Sequence, residues 1–343
     1  MRESDREICD RFPGLARPQR SFDGFAHRSA MAGNEMTICL GTRGSQLALA
    51  QTELVKQALA RVPDSPEVTV AVIKTQGDKR MDLRLSESGE SFDKGLFTKE
   101  LEDALLRGEI DVAVHALKDL PVELPPGLEL AGVLPRHDPV DVLVAKTPGG
   151  LSGLPVGARV ATSSLRRARQ LVFHRPDLQV LDVRGNVGTR LSKLRQEDSW
   201  SAIVLAKAGL ERLGFRLEIG QMEFESQRFF ASDLVEILPA VGQGTIGLEI
   251  ASDRKSLKEL LGQINDPDTW FCTAAEREFL RLLQAGCQTP IGIRSRIHRS
   301  ELHLEAIVFD RNGKARTGAV FGAFQTPQAA ATALLEKVYG NGG

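Results

Sequence analysis

The sequence predicts an α/β protein of two lobes with mainly parallel sheets, followed by a small C-terminal α+β domain. Three observations lead there. From residue 37 to about 206, short β-branched runs alternate with amphipathic segments of helix length, the pattern of parallel sheets covered on their faces. Two strand-to-helix links are alike, Thr42-Arg43-Gly44-Ser45 and Thr162-Ser163-Ser164-Leu165, which suggests a repeated lobe with a cleft between the copies. Beyond residue 268 the alternation stops, and Asn312-Gly313 is a strong hairpin signal.

Taken in order, the pattern predicts a strand over 37–41 and a helix over 45–60, with Ser45 as N-cap and Leu47, Ala50, Leu54 and Ala58 on its apolar face. A strand over 68–74 precedes a polar stretch, 76–95, without periodicity; a loop that long is a lid, a binding loop or disorder. A helix over 97–107 ends at Gly108, and strands follow over 110–117 and 128–134. Residues 135–139 read as a crossing between domains. The second block repeats the scheme: strands over 140–145 and 159–162, helix 165–173, strand 180–183, helix 187–195 and strand 202–206. The last domain is expected to hold a helix over 268–283, strands over 291–298, 302–309 and 315–321, and a helix over 327–338.

The 343 residues suggest two or three domains. With 44 basic against 45 acidic residues the chain lacks the basic balance of a nucleic-acid binder, so any anion site must be built from locally gathered arginines. Cys9, Cys39, Cys272 and Cys287 show no C-x-x-C pair and no metal-ligand spacing with histidine. Neither a metal site nor a disulfide framework is expected, and a reduced, cytoplasmic protein is. No apolar stretch approaches the roughly 20 residues of a membrane span. Residues 1–35 mix arginines with acids and lack an apolar h-region; they are read as a disordered tail rather than a targeting signal, with Met31 or Met36 as alternative starts.

In open parallel sheets ligands bind beyond the carboxyl ends of the strands, where helix N-termini offer free N–H groups and partial positive charge. Arg43 follows the first strand, Arg166 and Arg167 open a helix, Arg184 follows a strand and Arg190 lies in the first turns of the next helix. Guanidinium groups grip carboxylates bidentately; as a set these arginines point to a ligand with several negative groups, and singly they read equally as surface charges. Asp119 lies just past a buried strand, and reads as a general acid, a counter-ion to a developing cation, or a solvated turn residue. His115 is expected to be a hydrogen-bonded core imidazole, and Lys118 to add positive potential or face water. Cys287 sits in a loop after a helix, where a small molecule can reach its thiol, although a helix C-terminus disfavours a thiolate. Cys39 should be packed within its strand. No glycine pattern completes a nucleotide-binding motif.

Seven motifs in series carry a family likeness. Gly41-Thr42-Arg43-Gly44-Ser45-Gln46-Leu47-Ala48-Leu49-Ala50-Gln51, Lys94-Gly95-Leu96-Phe97, Val114-His115-Ala116-Leu117-Lys118-Asp119-Leu120-Pro121 and Thr162-Ser163-Ser164-Leu165-Arg166-Arg167 are the first four. Val183-Arg184-Gly185-Asn186-Val187-Gly188-Thr189-Arg190, Pro239-Ala240-Val241-Gly242-Gln243-Gly244 and Ala285-Gly286-Cys287-Gln288-Thr289-Pro290-Ile291-Gly292 complete them. In this order they resemble the motifs of porphobilinogen deaminases (hydroxymethylbilane synthases).

The resemblance implies two lobes like those of periplasmic solute-binding proteins, with domain 1 over 36–136 and 232–252, domain 2 over 137–231, and domain 3 over 255–343. It implies a dipyrromethane cofactor joined by a thioether to Cys287. It also implies that Asp119 assists loss of ammonia from porphobilinogen and steadies the resulting cation. Four additions would precede hydrolytic release of hydroxymethylbilane, by a monomer with no nucleic-acid or membrane partner. Lys118, Ser164, Arg166, Arg167, Arg184 and Gly185 match cofactor-holding positions; Arg43, Ser45, Lys94, Thr162, Ser163 and Arg190 match substrate-holding ones. The loop 76–95 would cover the cleft. A non-catalytic receptor for a polycarboxylate explains the arginines equally well, but not Cys287 or the third domain.

Overall fold

The computed structural model describes residues 37–75, 98–217, 220–284 and 289–340. The tail 1–35, the loop 76–95 with Lys94, and the loop carrying Cys287 lie outside the described residues.

The first lobe is a five-stranded sheet in the order β2-β1-β3-β11-β4, made of β1 (Thr37–Arg43), β2 (Glu67–Ile73), β3 (Val112–Ala116), β4 (Leu128–Val133) and β11 (Ile246–Ala251). β1 pairs in parallel with β2 and β3, whereas β11 runs antiparallel to both β3 and β4. Four strands therefore share one direction and β11 opposes them. Helices cover both faces. α1 (Gln46–Leu59) brings Val55 and Leu59 onto Ile38, Leu40 and Val112, and α2 (Lys99–Leu106) brings Leu101, Ala104 and Leu105 onto Ile110 and Ala113.

The second lobe repeats the design with six strands in the order β7-β6-β8-β5-β10-β9: β5 (Asp141–Ala145), β6 (Arg159–Ala161), β7 (Gln179–Leu181), β8 (Ala202–Ala206), β9 (Gln221–Phe224) and β10 (Gln227–Asp233). β6 pairs in parallel with β7 and β8, while β5 is antiparallel to β8 and β10. One face carries α3 (Leu165–His174), whose Leu171 is fully buried; the other carries α4 (Val187–Gln196) and α5 (Lys207–Arg212), through Leu191, Leu194 and Leu210.

In each lobe the strand next to an inter-lobe crossing, β5 or β11, enters antiparallel between strands of the opposite direction. Strand–helix alternation alone predicts only the parallel pairs. The two crossings run side by side, with Leu134 N donating to Ile246 O and His137 N to Gly244 O. Gly244 has φ +87°, and a Cβ there would run into the carbonyl of His137. Gly244→Ala is therefore expected to cost about 2–4 kcal/mol, from left-handed backbone strain plus overpacking, seen as a lower urea midpoint at unchanged slope.

The third sheet, β12 (Ile291–His298), β13 (Glu301–Phe309) and β14 (Ala315–Gly322), is antiparallel throughout. α7 (Pro267–Leu282) and α8 (Pro327–Tyr339) cover one of its faces through Ala275, Phe279, Ala330 and Leu334. α7 has Pro267 in its first turn, and its N-cap Asp266 accepts from Thr269 N at 2.8 Å. The hairpin at Asn312-Gly313 is wider than a two-residue turn. Asp310 N donates to Lys314 O, and only Gly313 takes positive φ, +81°, so the loop is of the three-residue kind with a left-handed glycine.

Two expectations are corrected. The helix α6 (Lys255–Gly262) packs Leu257 and Leu261 into the core of the first lobe, so residues 255–262 do not belong with the third sheet. Its short apolar stripe has nothing in sequence to say which sheet it meets. The apolar face of α1 is corrected in part: Leu54 and Ala58 pack on the first-lobe core as expected, but the buried residues are Ala48, Gln51, Thr52, Val55 and Leu59. Leu47 points elsewhere.

Candidate active site

Asp119 ends a single 3-10 turn, Leu117–Asp119, directly after β3. The turn is held from below. Leu117 is buried against Leu120 and Val133, and its N–H donates to Thr245 O on the return crossing. From the third domain, Arg277 on α7 donates to the carbonyls of Pro121 at 2.7 Å and Val122 at 3.0 Å. Within β3, His115 Nε2 lies 2.8 Å from Glu249 Oε2, both side chains buried, as expected of a hydrogen-bonded core imidazole.

In the second lobe the expected site residues lie after β6 and β7, at the N-termini of α3 and α4. Ser164 caps α3 and accepts from Arg167 N; its own N–H donates to Thr162 Oγ1 at 3.2 Å. Ser163 Oγ donates to Val183 O at 2.8 Å, tying the two loops together. Gly185 takes φ +119°, and a Cβ there would stand 2.6 Å from the Thr189 methyl. Its carbonyl accepts Arg190 Nε at 2.8 Å, so the glycine fixes the direction of that guanidinium. Arg184 pairs with Asp182 at 3.1 Å and is half exposed. In the first lobe, Arg43 ends β1, half-buried, and Ser45 Oγ caps α1 by accepting from Ala48 N.

Arg166 and Arg167 are not free cleft cations. Both are buried on Asp141, the first residue of β5, each with a 2.7 Å contact to its fully buried carboxylate. Gln243 is the third residue to donate to that carboxylate, through Nε2 at 2.8 Å, and Arg167 also donates to Val204 O. Burial works to raise the Asp141 pKa, but the two arginine charges and their hydrogen bonds overcome it and hold the group far below the usual carboxylate range. The sequence reading missed Asp141 and Gln243. The available signal was a carboxylate opening the otherwise apolar run Asp141-Val142-Leu143-Val144-Ala145.

The electrostatics link the two lobes. Burial is the largest influence on Lys118 and lowers it to about 8; Asp119 opposes that, and Arg167 and Arg166 add to it. Burial likewise lowers Arg190 to about 10, with Arg167 repelling it and Asp119 attracting it. Asp119 of the first lobe thus lies within the field of Arg190 of the second. Lys118, Arg166, Arg167 and Arg190 outnumber Asp119, Asp141 and Asp182; Asp141 is already spent on two arginines, and Asp182 is paired with Arg184. Such a site gains from an added anion. Among the described residues no group of three or more His, Cys, Asp or Glu side chains is placed to hold a metal ion, and no helix is long and apolar enough to cross a membrane.

Comparison with known proteins decides the family. A family model described as "Porphobilinogen deaminase, dipyromethane cofactor binding domain" matches residues 38–259, and its C-terminal-domain counterpart matches residues 270–338. The chain belongs to the porphobilinogen deaminase family.

Among curated porphobilinogen deaminases, that of Syntrophomonas wolfei is 47% identical over 276 residues, covering 80% of this chain and 86% of the relative. That of Moorella thermoacetica is 44% identical over 306 residues, 89% and 94% of the two chains. That of Roseiflexus sp. is 43% identical over 312 residues, 90% and 98%. Among solved structures, the methionine binding protein MetQ matches with TM-score 0.40 and 11% identity, covering 70% of this chain and 94% of MetQ. The periplasmic VFT2 domain of Bordetella pertussis BvgS matches at TM-score 0.40 and 10% identity, covering 66% and 86%. The two-lobed α/β architecture of this porphobilinogen deaminase family member rests on its own sheets.

Proposed function

We propose that the chain condenses four porphobilinogen molecules head to tail on a dipyrromethane primer held through a thioether to Cys287, releasing ammonia at each addition and then hydroxymethylbilane. The observation that carries this reading is the unmatched positive charge around Asp119. Each pyrrole unit brings two carboxylate arms, and the cleft offers cations whose proton affinity is depressed by burial and mutual repulsion. A residue set of this kind fits the primer: Lys118, the remaining N–H groups of Arg167, and the N-terminal amides of α3 and α4 would hold its acid arms.

The primer supplies, when bound, a free pyrrole α-carbon to which the next unit joins. The protein's residues do the rest. Arg43, Ser45 and Arg190, with Lys94, Thr162 and Ser163, bind and orient the incoming carboxylates. Asp119 assists as the C–N bond of the substrate's ammonium group breaks and its electron pair leaves with nitrogen as ammonia. The Asp119 carboxylate balances the positive charge on the substrate's methylene carbon until the new C–C bond forms, and then takes up the α-proton. Ser164, Arg184 and Gly185 shape the cofactor side, while Arg166 works through Asp141 to hold the α3 N-terminus in place. A cytoplasmic monomer completes the reading.

Intact-mass measurement tests it. The purified chain, supplied with porphobilinogen, is expected to gain the mass of a covalent primer and to release ammonia. Cys287→Ser is expected to remain unloaded and inactive. A normally loaded serine variant would move the attachment elsewhere, and a wild-type chain that neither gains mass nor releases ammonia would favour a carboxylate receptor.

A further inference from the structure

Leu47 stands in the first turn of α1, in the first lobe, yet it packs on the core of the second. The residues that seat α1 on its own sheet are Val55 and Leu59, with Leu54 and Ala58 beside them. Leu47 instead joins the second-lobe cluster that contains Leu210, Leu213 and Val144. Its Cδ2 would be 3.7 Å from a Cβ placed on Gly209, the nearest described atom apart from the backbone of α5 and the residues beside Gly209. Gly209 is buried in α5.

α5 is the helix of the second lobe that grips both inter-lobe crossings. Lys207 Nζ pairs with Asp138 on the outward crossing at 3.0 Å and with Asp233 at the end of β10 at 2.8 Å. Arg212 donates to Gly244 O on the return crossing at 2.6 Å. One face of α5 is thus fixed to the hinge while another receives α1. Leu47 is two residues from Ser45 and four from Arg43, so whatever sets its depth against α5 also sets where those two stand.

We propose that Leu47 is a positioning residue for the reaction: a spacer that fixes the gap between Arg43 and Ser45 on one lobe and Arg190 on the other. The proposal rests on the reading of that gap as the substrate site. The physical reason for a leucine is reach. A shorter side chain leaves the lobes free to approach or slide, and a misplacement of about 1 Å in a reacting geometry costs on the order of 100-fold in rate.

The test uses the full-length, primer-loaded enzyme with porphobilinogen. Leu47→Ala is expected to lower kcat about tenfold while KM changes less than about twofold, because bound substrate is misaligned rather than lost. Primer loading by intact mass should be unchanged. Leu47→Met, which keeps the reach, should return kcat to within about twofold. Adding Gly209→Ala to Leu47→Ala supplies a methyl on the facing side and should recover part of the loss; non-additivity of that kind marks residues in contact. If Leu47→Ala does not fold, Leu47→Val gives the same comparison, with a smaller fall in kcat expected. An alanine or valine variant with undiminished kcat, or one whose sole defect is a lower melting temperature, overturns the proposal. A wild-type chain without activity sinks the functional reading instead, since no ratio to it is then defined.

Discussion

Replacing Asp119 by asparagine is expected to lower kcat about 1,000-fold, within the range a positioned acid supplies, while near-UV circular dichroism stays that of the wild type. The amide neither balances a cation nor takes up the α-proton. A second, independent signature follows from the charges around it. Asp119 is the strongest influence holding the Lys118 pKa up against burial. Without it, Lys118 is expected to drop below about 8, because burial, Arg167 and Arg166 still lower it while Asp141 alone holds it up. A pH titration of a methylated lysine resonance reads this directly. Near-normal turnover in the asparagine variant would remove Asp119 from the chemistry. An unmoved Lys118 would mean that its partner is another carboxylate.

The largest stability effect is expected at Asp141. Asp141→Asn leaves two buried guanidinium groups without their counter-charge and should cost about 3–5 kcal/mol, the penalty for breaking a buried pair from one side. Its pH dependence has a definite sign. The folded pKa is depressed, so the stabilisation is fully present above the unfolded-state value of about 3.9 and is lost as pH falls below it. The gap between wild type and variant should therefore be constant near pH 7 and shrink by about 1.4 kcal/mol per pH unit once the pH is below 3.9. Urea midpoints at several pH values measure it. A gap that widens in acid would show that Asp141 is not the group carrying the linkage. The same variant should also lose primer loading, since Arg166 and Arg167 are aimed by this carboxylate.

Much of the local structure was legible in the sequence, because it follows from local chemistry. The Ser45 cap, the strand carrying His115 and the helix opened by Ser164 are each fixed by neighbours within a turn or two, and those expectations agree with the structure to within one or two residues. The site was less legible. Arg166 and Arg167 read as cleft cations until Asp141 is seen beneath them. Arg184 reads likewise as one of a row, yet it is paired with Asp182 at the surface.

By itself the sequence determined the two α/β blocks, the C-terminal α+β domain and, through motifs that lie in one order, the family. Those features depend on hydrophobic period and on residue types at short spacing. Only the tertiary structure decided that β11 returns antiparallel into the first sheet, that α6 joins that lobe, that Gln243 reaches Asp141, and that Leu47 crosses to the other core. Each of these joins residues from about 100 to more than 200 positions apart. A side chain's partner across such a separation is set by how closed sheets stack and by which buried charge must be matched. No pattern confined to a helix turn or a strand pair records either.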